Sequence, residues 1–366
     1  MDAGMNVSNN NDPRLYEKIK ELEDIRSRAI AGVILLVAGG TLFFFGGPLL
    51  HASRNAFVLP LFGMLVGVIG AILLLGTRKK YKAAYKSLFV EKQLRYNFQN
   101  VVYDWKSGFH ETAVKTFGLC AMGNRFSSED YLRGEFAGIP FETSDVTVQQ
   151  VTSTGKSTHV TTYFKGRMLV FDFPSKFVNS VQIFTDNYRY RGKPMINMRP
   201  QKVEMEGVDF NKRFDVFALS PHDAFYLLTP QFMEDMMALS SRYNSMAVHV
   251  TGNRVFVGFN EPFHDAFDAD SMLKKISYPE EMQAIQRDID DIKNFITIIR
   301  GIYNNYNAQN NYNAQNNYNN PNNYNVQNNY NAQYDYNAQN NYNVQPGYNT
   351  QNNYNNYNAN DYYQTV

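Results

Sequence analysis

Two long uncharged apolar runs near the start of this 366-residue chain constrain its fold more than any other feature. No charged residue lies between Arg28 and Arg54, and Ala29–Leu50 supplies 22 mostly apolar positions. At 1.5 Å per residue that run is about 33 Å long as a helix, the thickness of a bilayer core. A second run, Ala56–Gly76, reaches about 31 Å on the same rise. A backbone amide in hydrocarbon finds no water, so runs of this kind close their hydrogen bonds internally as helices. The short link His51–Asn55 then predicts a tight antiparallel hairpin. A cleaved signal peptide fits poorly, because the leader before the first run is long and carries Asp12, Glu17, Glu21, Glu23 and Asp24.

Basic residues set the expected orientation. Arg14, Lys18, Lys20, Arg26 and Arg28 precede the first run, and Arg78, Lys79, Lys80, Lys82 and Lys86 follow the second, whereas the link has only Arg54. Positive charge marks the cytoplasmic side, so both termini are expected there. Gly63, Gly67 and Gly70 form GxxxGxxG on the second run, a spacing that lets helix backbones approach closely. Packing against the partner run of the same hairpin is the simpler use of it; a dimerisation face is the other. The basic cluster from Arg78 could meet anionic headgroups, although topology marking already explains it.

Beyond the hairpin the texture changes. Arg14–Arg28 and Arg78–Phe98 are rich in Lys, Glu, Leu and Ala without Gly or Pro, and read as helices continuing the spans. Alternating apolar positions at Val146–Val151, Val160–Phe164 and Met168–Phe173 predict strands, with turns at Thr154–Ser157 and Lys165-Gly166. Met246–Val250 and Val255–Phe259 predict a second hairpin about Gly252. Ser220-Pro221, Thr229-Pro230 and Ser277-Tyr278-Pro279 open helices. In the last of these Met282, Ile285, Ile289, Ile292, Phe295 and Ile299 form one stripe, expected to dock on its own domain, and Gly301 is the expected stop. Strands mixed with helices and without βαβ alternation predict an α+β fold with a mainly antiparallel sheet. The expected divisions are an N-terminal helix over 1–28, the hairpin over 29–76, a juxtamembrane helical region over 77–126, the α+β domain over 127–302 and a tail over 303–366.

Catalytic signatures are missing. Gly155-Lys156-Ser157-Thr158 ends like a phosphate-binding loop, but Gln150 stands where the motif needs glycine and no helix follows. His51, His110, His159, His222, His249 and His264 are scattered; His222-Asp223 and His264-Asp265 place neighbours whose side chains diverge, a poor chelate. The single Cys120 excludes a disulfide within the chain and reads as a small buried hydrophobe unless a histidine approaches it. No catalytic, cofactor-binding or metal-binding residue and no cofactor is assigned from the sequence. Without the tail, 35 basic residues face 32 acidic ones, so nothing in the charge balance points to nucleic acid.

Several blocks in order resemble a bacterial membrane protein family catalogued as domain of unknown function 3137. They are Ser128-Glu129-Asp130-Tyr131-Leu132 with Gly134, Gly138–Val146 (GIPFETSDV), Phe164-Lys165-Gly166 leading to Val170-Phe171-Asp172-Phe173, then Phe214-Asp215-Val216 and Ala224–Met233 (AFYLLTPQFM). The resemblance covers about 85–300 with the preceding hairpin, and implies a bacterial inner-membrane protein with a cytoplasmic α+β domain and no established activity. None of the matching residues is carried over as catalytic, and the tail departs from the family.

That tail, Tyr303–Val366, holds 27 Asn and 14 Tyr in 64 residues, with Asp335 and Asp361 as its charges. Tyrosine recurs every six residues from Tyr306 to Tyr354, mostly as NYNAQN. With few aliphatic groups to bury, such a segment is expected to be disordered, while its amides and rings suit self-association. The whole chain therefore reads as an uncharacterised membrane-anchored interaction or scaffold protein. Its expected partners are the lipid bilayer and either a protein or a second tail, without nucleic acid. The alternative is a tethered enzyme whose site forms only in the folded α+β domain.

Overall fold

The computed structural model describes residues 13–49, 57–174, 176, 178–194, 199–262, 266–269, 271–319 and 363–364. Two compact units result: unit 1 joins the chain up to Val101 with Asp265–Asp291, and unit 2 joins Val102–His264 with the chain from Ile292 onward.

Unit 1 is built on α1 (Pro13–Leu49) and α2 (Val58–Tyr85), both long and apolar enough to cross a membrane. Glycine decides how closely they pack. A Cβ on Gly39 would lie 2.3 Å from the Gly67 amide nitrogen, and one on Gly63 or Gly70 would lie 2.6 Å from the amide of Phe43 or Leu36. The glycine spacing therefore serves contact within the hairpin. The surrounding apolar side chains point outward, with Phe44 73% and Leu75 68% exposed. The link His51–Asn55 lies outside the described residues. After α2 the helix widens into one π-type turn, Lys86–Val90, where the Glu91 amide bonds to the Lys86 carbonyl, and then continues as α3 (Glu91–Asn97).

Unit 2 is α+β. Its elements in order are β1 (Gln99–Asp104), β2 (Gly108–Phe109), α4 (Glu111–Phe117), β3 (Arg125–Phe136), β4 (Ile139–Ser153), β5 (Thr158–Asp172), β6 (Val178–Thr185), β7 (Gln201–Val203), α5 (Val208–Arg213), β8 (Phe214–Ala218), α6 (Pro221–Leu227), α7 (Pro230–Ser240), β9 (Ser245–Gly252), β10 (Arg254–Asn260) and α8 (Tyr278–Asn319), of which β1 and α8 begin in unit 1. Among the described residues, nine strands form one sheet in the order β1-β3-β4-β5-β10-β9-β6-β8-β7. The registered pairs from β3 through β7 are antiparallel. A separate short pair joins Tyr363–Gln364 to β2. The late hairpin β9–β10 is inserted between β5 and β6, so its residues are apolar on both faces and nearly all buried. On one face α4 contributes Val114 and Phe117 to a core with Val146, Val148, Phe164, Met168, Ala247 and Phe256. On the other, Phe295 of α8 stacks on Phe171 at 5.5 Å and meets Phe259 edge-on at 5.9 Å. The α8 stripe is buried at Ile285, Ile289, Ile292, Phe295 and Ile299, as its spacing predicts.

Several local expectations change. The sheet starts at β1, inside the stretch the sequence reads as helical. Lys165-Gly166 is no turn but lies within the continuous strand β5, because a Cβ on Gly166 would sit 2.0 Å from the Phe259 carbonyl oxygen. Glycine there marks a close backbone approach to β10 rather than a reversal. We expect Gly166→Ala to lower stability by about 2–4 kcal/mol, read from urea unfolding followed by the fluorescence of the single tryptophan, Trp105. Ser220 sits at the α6 N-cap position without a side-chain bond, whereas Thr229 does cap α7 by accepting from the Phe232 amide at 3.3 Å. Helix α8 passes through Gly301 to Asn319, since one interior glycine costs only about 1 kcal/mol and docking of the stripe outweighs it. The tail, expected to be disordered from Tyr303, is instead helical over 303–319, where the docked helix simply continues, and from 320 on it lies outside the described residues apart from 363–364.

Candidate functional site

Three polar residues of the quoted sequence blocks, Ser128, Asp130 and Asp145, meet toward the β1 end of the sheet. Strand β3 carries a bulge, with its register against β4 shifting between Glu129 and Leu132. At the bulge Asp130 takes φ +59°, a left-handed conformation that turns its side chain inward, where it is 1% exposed. The Tyr103 hydroxyl donates to Asp130 Oδ1 at 2.6 Å, and the Tyr131 amide bonds to the Ser107 carbonyl at 2.9 Å. Burial, followed by the charge and hydrogen bond of Asp130, holds the Tyr103 hydroxyl well above its usual pKa. On the adjoining strands Arg167 Nε donates to Asp145 Oδ1 at 2.9 Å. Ser128 Oγ links the two parts, donating to the Asp145 carbonyl at 2.9 Å and accepting from the Phe109 amide at 3.0 Å. The blocks containing Asp130 and Asp145 drew attention by their residues, but their meeting with Tyr103 and Arg167 depends on a bulge that sequence spacing does not announce.

A second polar group crosses the centre of the sheet. His249 Nδ1 lies 2.7 Å from the Phe117 carbonyl oxygen, which only accepts, so Nδ1 carries the proton and Nε2 accepts from Ser180 Oγ at 3.1 Å. Gln182 Nε2 donates to the Gly118 carbonyl at 2.7 Å. These bonds tie the end of α4, where Gly118 has φ +67°, to the sheet. The serine–histidine distance is that of a nucleophile and its base. However, Ser180 and His249 are only 1% and 2% exposed, and the third position is a backbone carbonyl rather than an acid. Burial lowers the His249 pKa to about 4, leaving the ring neutral, and raises the Cys120 thiol to about 12, leaving it protonated and unreactive. Both ring nitrogens of His249 are engaged with partners other than Cys120.

Glu142 on β4 is the side chain poised near neutrality, with its pKa raised to about 7 by burial first and then by the charge of Asp172, against Arg254, Arg133 and a bond from Tyr131. Its neighbour Asp172 accepts from Arg254 Nε at 2.6 Å. Of the remaining histidines, His110 caps α4 through the Thr112 amide at 3.3 Å and His222 stacks on Tyr226. His51 and His264 lie outside the described residues. Thr154–Ser157 is the β4–β5 turn, closed by the Thr154 amide on the Ser157 carbonyl at 3.0 Å.

Unit 1 has its own buried charge. Lys86, at the start of the π-type turn, is fully buried and lies 2.5 Å from Asp268, with Lys82 at 3.5 Å from the same carboxylate. The segment bearing Asp268 is held to α1 by Glu23, which accepts from the Ile276 amide at 3.1 Å, and by Arg26, which donates to the Leu273 carbonyl at 3.3 Å. Tyr85 donates to Glu281 at 2.7 Å. From the sequence Lys86 reads as part of a basic cluster that marks topology or meets anionic headgroups, neither of which anticipates its burial. An apolar groove of about 360 Å³ runs along α1 and α2 beside Leu36, Gly39, Gly40, Phe43, Met64 and Val68.

The family model described as "Protein of unknown function (DUF3137)" matches residues 162–302, from within β5 into α8. It takes in the blocks from Phe164 to Met233, while those around Asp130 and Asp145 lie before it. No curated protein matches the chain. A solved structure that does match is the crystal structure of the mycobacterial trehalose monomycolate transport factor A, TtfA. It is 9% identical, covers 57% of this chain and 93% of that one, and has a TM-score of 0.31. At that distance neither its fold nor its role transfers.

Proposed function

We propose that this protein is a membrane-anchored scaffold, its hairpin embedded in a bacterial inner membrane, its α+β unit offering a cytoplasmic binding surface and its tail promoting association between copies. One observation carries the reading: glycine-packed helices present exposed apolar side chains along their length, and those chains give way to exposed Arg28, Arg78, Lys79 and Lys80 at one end. An apolar surface of this extent in water would aggregate, whereas in a bilayer it is solvated. Basic residues on that end favour the cytoplasmic side for both termini. The tethered-enzyme alternative draws on the Ser180–His249 pair, but a substrate would have to reach groups sealed in the core.

Two measurements test this. The chain should resist alkaline extraction from membranes and float with lipid; release into the soluble fraction would remove the anchor. Fluorescently tagged full-length protein should form clusters that disperse when Tyr324, Tyr330, Tyr336 and Tyr342 are replaced by proline. Identical distributions for the two proteins would remove the tail from the scaffold reading.

A further inference from the structure

The hexapeptide period of the tail is a multiple of two, and this has a physical consequence. In an extended strand successive side chains alternate between faces. From Asn323 to Gln345, between Pro321 and Pro346, every odd position is Asn or Gln except Asp335. The even positions are Tyr324, Val326, Asn328, Tyr330, Ala332, Tyr334, Tyr336, Ala338, Asn340, Tyr342 and Val344. One face of such a strand would be amide and the other aromatic and aliphatic. On a helix six residues advance about 600°, so the same repeat would scatter its tyrosines around the axis. Tyr306, Tyr312 and Tyr318 of the same repeat lie in the last turns of α8, whereas past Pro321 the alternation suits an added strand.

Unit 2 has a matching edge. Strands β4 and β5 outrun their neighbours: β3 pairs with β4 only as far as Gln149, and β10 pairs with β5 only from Gly166. Past those points the hairpin projects as a two-stranded arm, exposed from Thr152 to Val160. Its β4 side is closed by Asn124, whose side chain bonds to both the amide and the carbonyl of Val151 at 2.8 Å. On the β5 side, Thr158–Thr162 (THVTT) has no strand beside it among the described residues. This edge is β-branched, uncharged apart from the titratable His159, and free of proline, so it lacks the usual devices that blunt an edge.

We propose that Asn323–Gln345 of one copy docks as an added strand on Thr158–Thr162 of a neighbouring copy, resting on the reading of the tail as the associating segment. Main-chain hydrogen bonds supply the attraction, and the nearly uncharged partners make it insensitive to salt. Reach is sufficient: residues 320–362 extend to about 140 Å, and about 70 Å as a loop returning to β2. Donation of a strand from copy to copy is open-ended, which produces clusters rather than closed dimers.

Amide hydrogen exchange of the full-length protein in vesicles tests the proposal directly. At high copy density the outward amides of Thr158–Thr162 should exchange roughly tenfold or more slowly than in the chain carrying Tyr324→Pro, Tyr330→Pro, Tyr336→Pro and Tyr342→Pro. A synthetic peptide of residues 323–345 should restore the protection in that variant. Equal exchange in the two chains overturns the docking, as does protection in both, which would mean that arms of two copies pair with each other. Protection that survives dilution to one copy per vesicle overturns exchange between copies. If clusters disperse in the proline variant while arm exchange stays unchanged, the docking fails and the scaffold reading stands.

Discussion

Replacing Asp268 by alanine should destabilise unit 1 by about 3–5 kcal/mol, because it leaves the ammonium of fully buried Lys86 without the carboxylate 2.5 Å away. The solvent contact of Asp268, whose side chain is 28% exposed, places the expected value at the lower end of that range. The double change Lys86→Met with Asp268→Asn should recover most of the loss, since removing both charges also removes both desolvation penalties. Thermal unfolding of the three purified proteins in detergent measures this. A single variant as stable as the wild type would show that the pair does not hold the segment from Ala266 to Ile276 on the helices. The pair is also where the helix changes pitch, and π-type turns of this kind concentrate at functional positions.

The stability of unit 2 between pH 4 and pH 7 should be nearly flat in the wild type and strongly sloped in either of two single variants. Glu142 has its folded pKa raised to about 7 from 4.5, so its contribution is fully present below about pH 4.5 and is lost as the pH rises through 7. His249 has its folded pKa lowered to about 4 from 6.5, so its contribution is present above about pH 6.5 and is lost as the pH falls through 4. Each shift corresponds to about 3 kcal/mol as an upper bound, and the two act in overlapping windows with opposite sign. Glu142→Gln should therefore be the more stable protein at pH 7.5, by about 2 kcal/mol, and lose that advantage on acidification. His249→Asn should show the reverse slope, becoming relatively more stable as the pH falls. Urea unfolding monitored at Trp105 across this range decides it; parallel pH profiles for all three proteins would overturn the opposition.

Long apolar helices, strands and caps differ in how far the sequence alone reveals them. The apolar runs were legible because length and the absence of charge are local properties, and the α8 stripe because helical periodicity is local too. The glycine spacing on α2 was legible as a close approach, and its partner emerged once Gly39 was seen against Gly67. Gly166 misled because the same residue serves a turn and a tight crossing of backbones, and only the position of β10 distinguishes them. Ser220 misled because a capping side chain must also rotate toward its amide.

By itself the sequence determined the two long apolar helices, the α+β texture of the body and the six-residue tail repeat, since each depends on spacing along the chain. The tertiary structure decided what lies side by side: β9–β10 between β5 and β6, Asp130 beside Tyr103, Ser180 beside His249, and Lys86 beside Asp268. The reason is physical. Periodicity encodes which face of an element is apolar, whereas pairing depends on which buried surfaces and polar groups satisfy one another at sequence separations of 27 to 182.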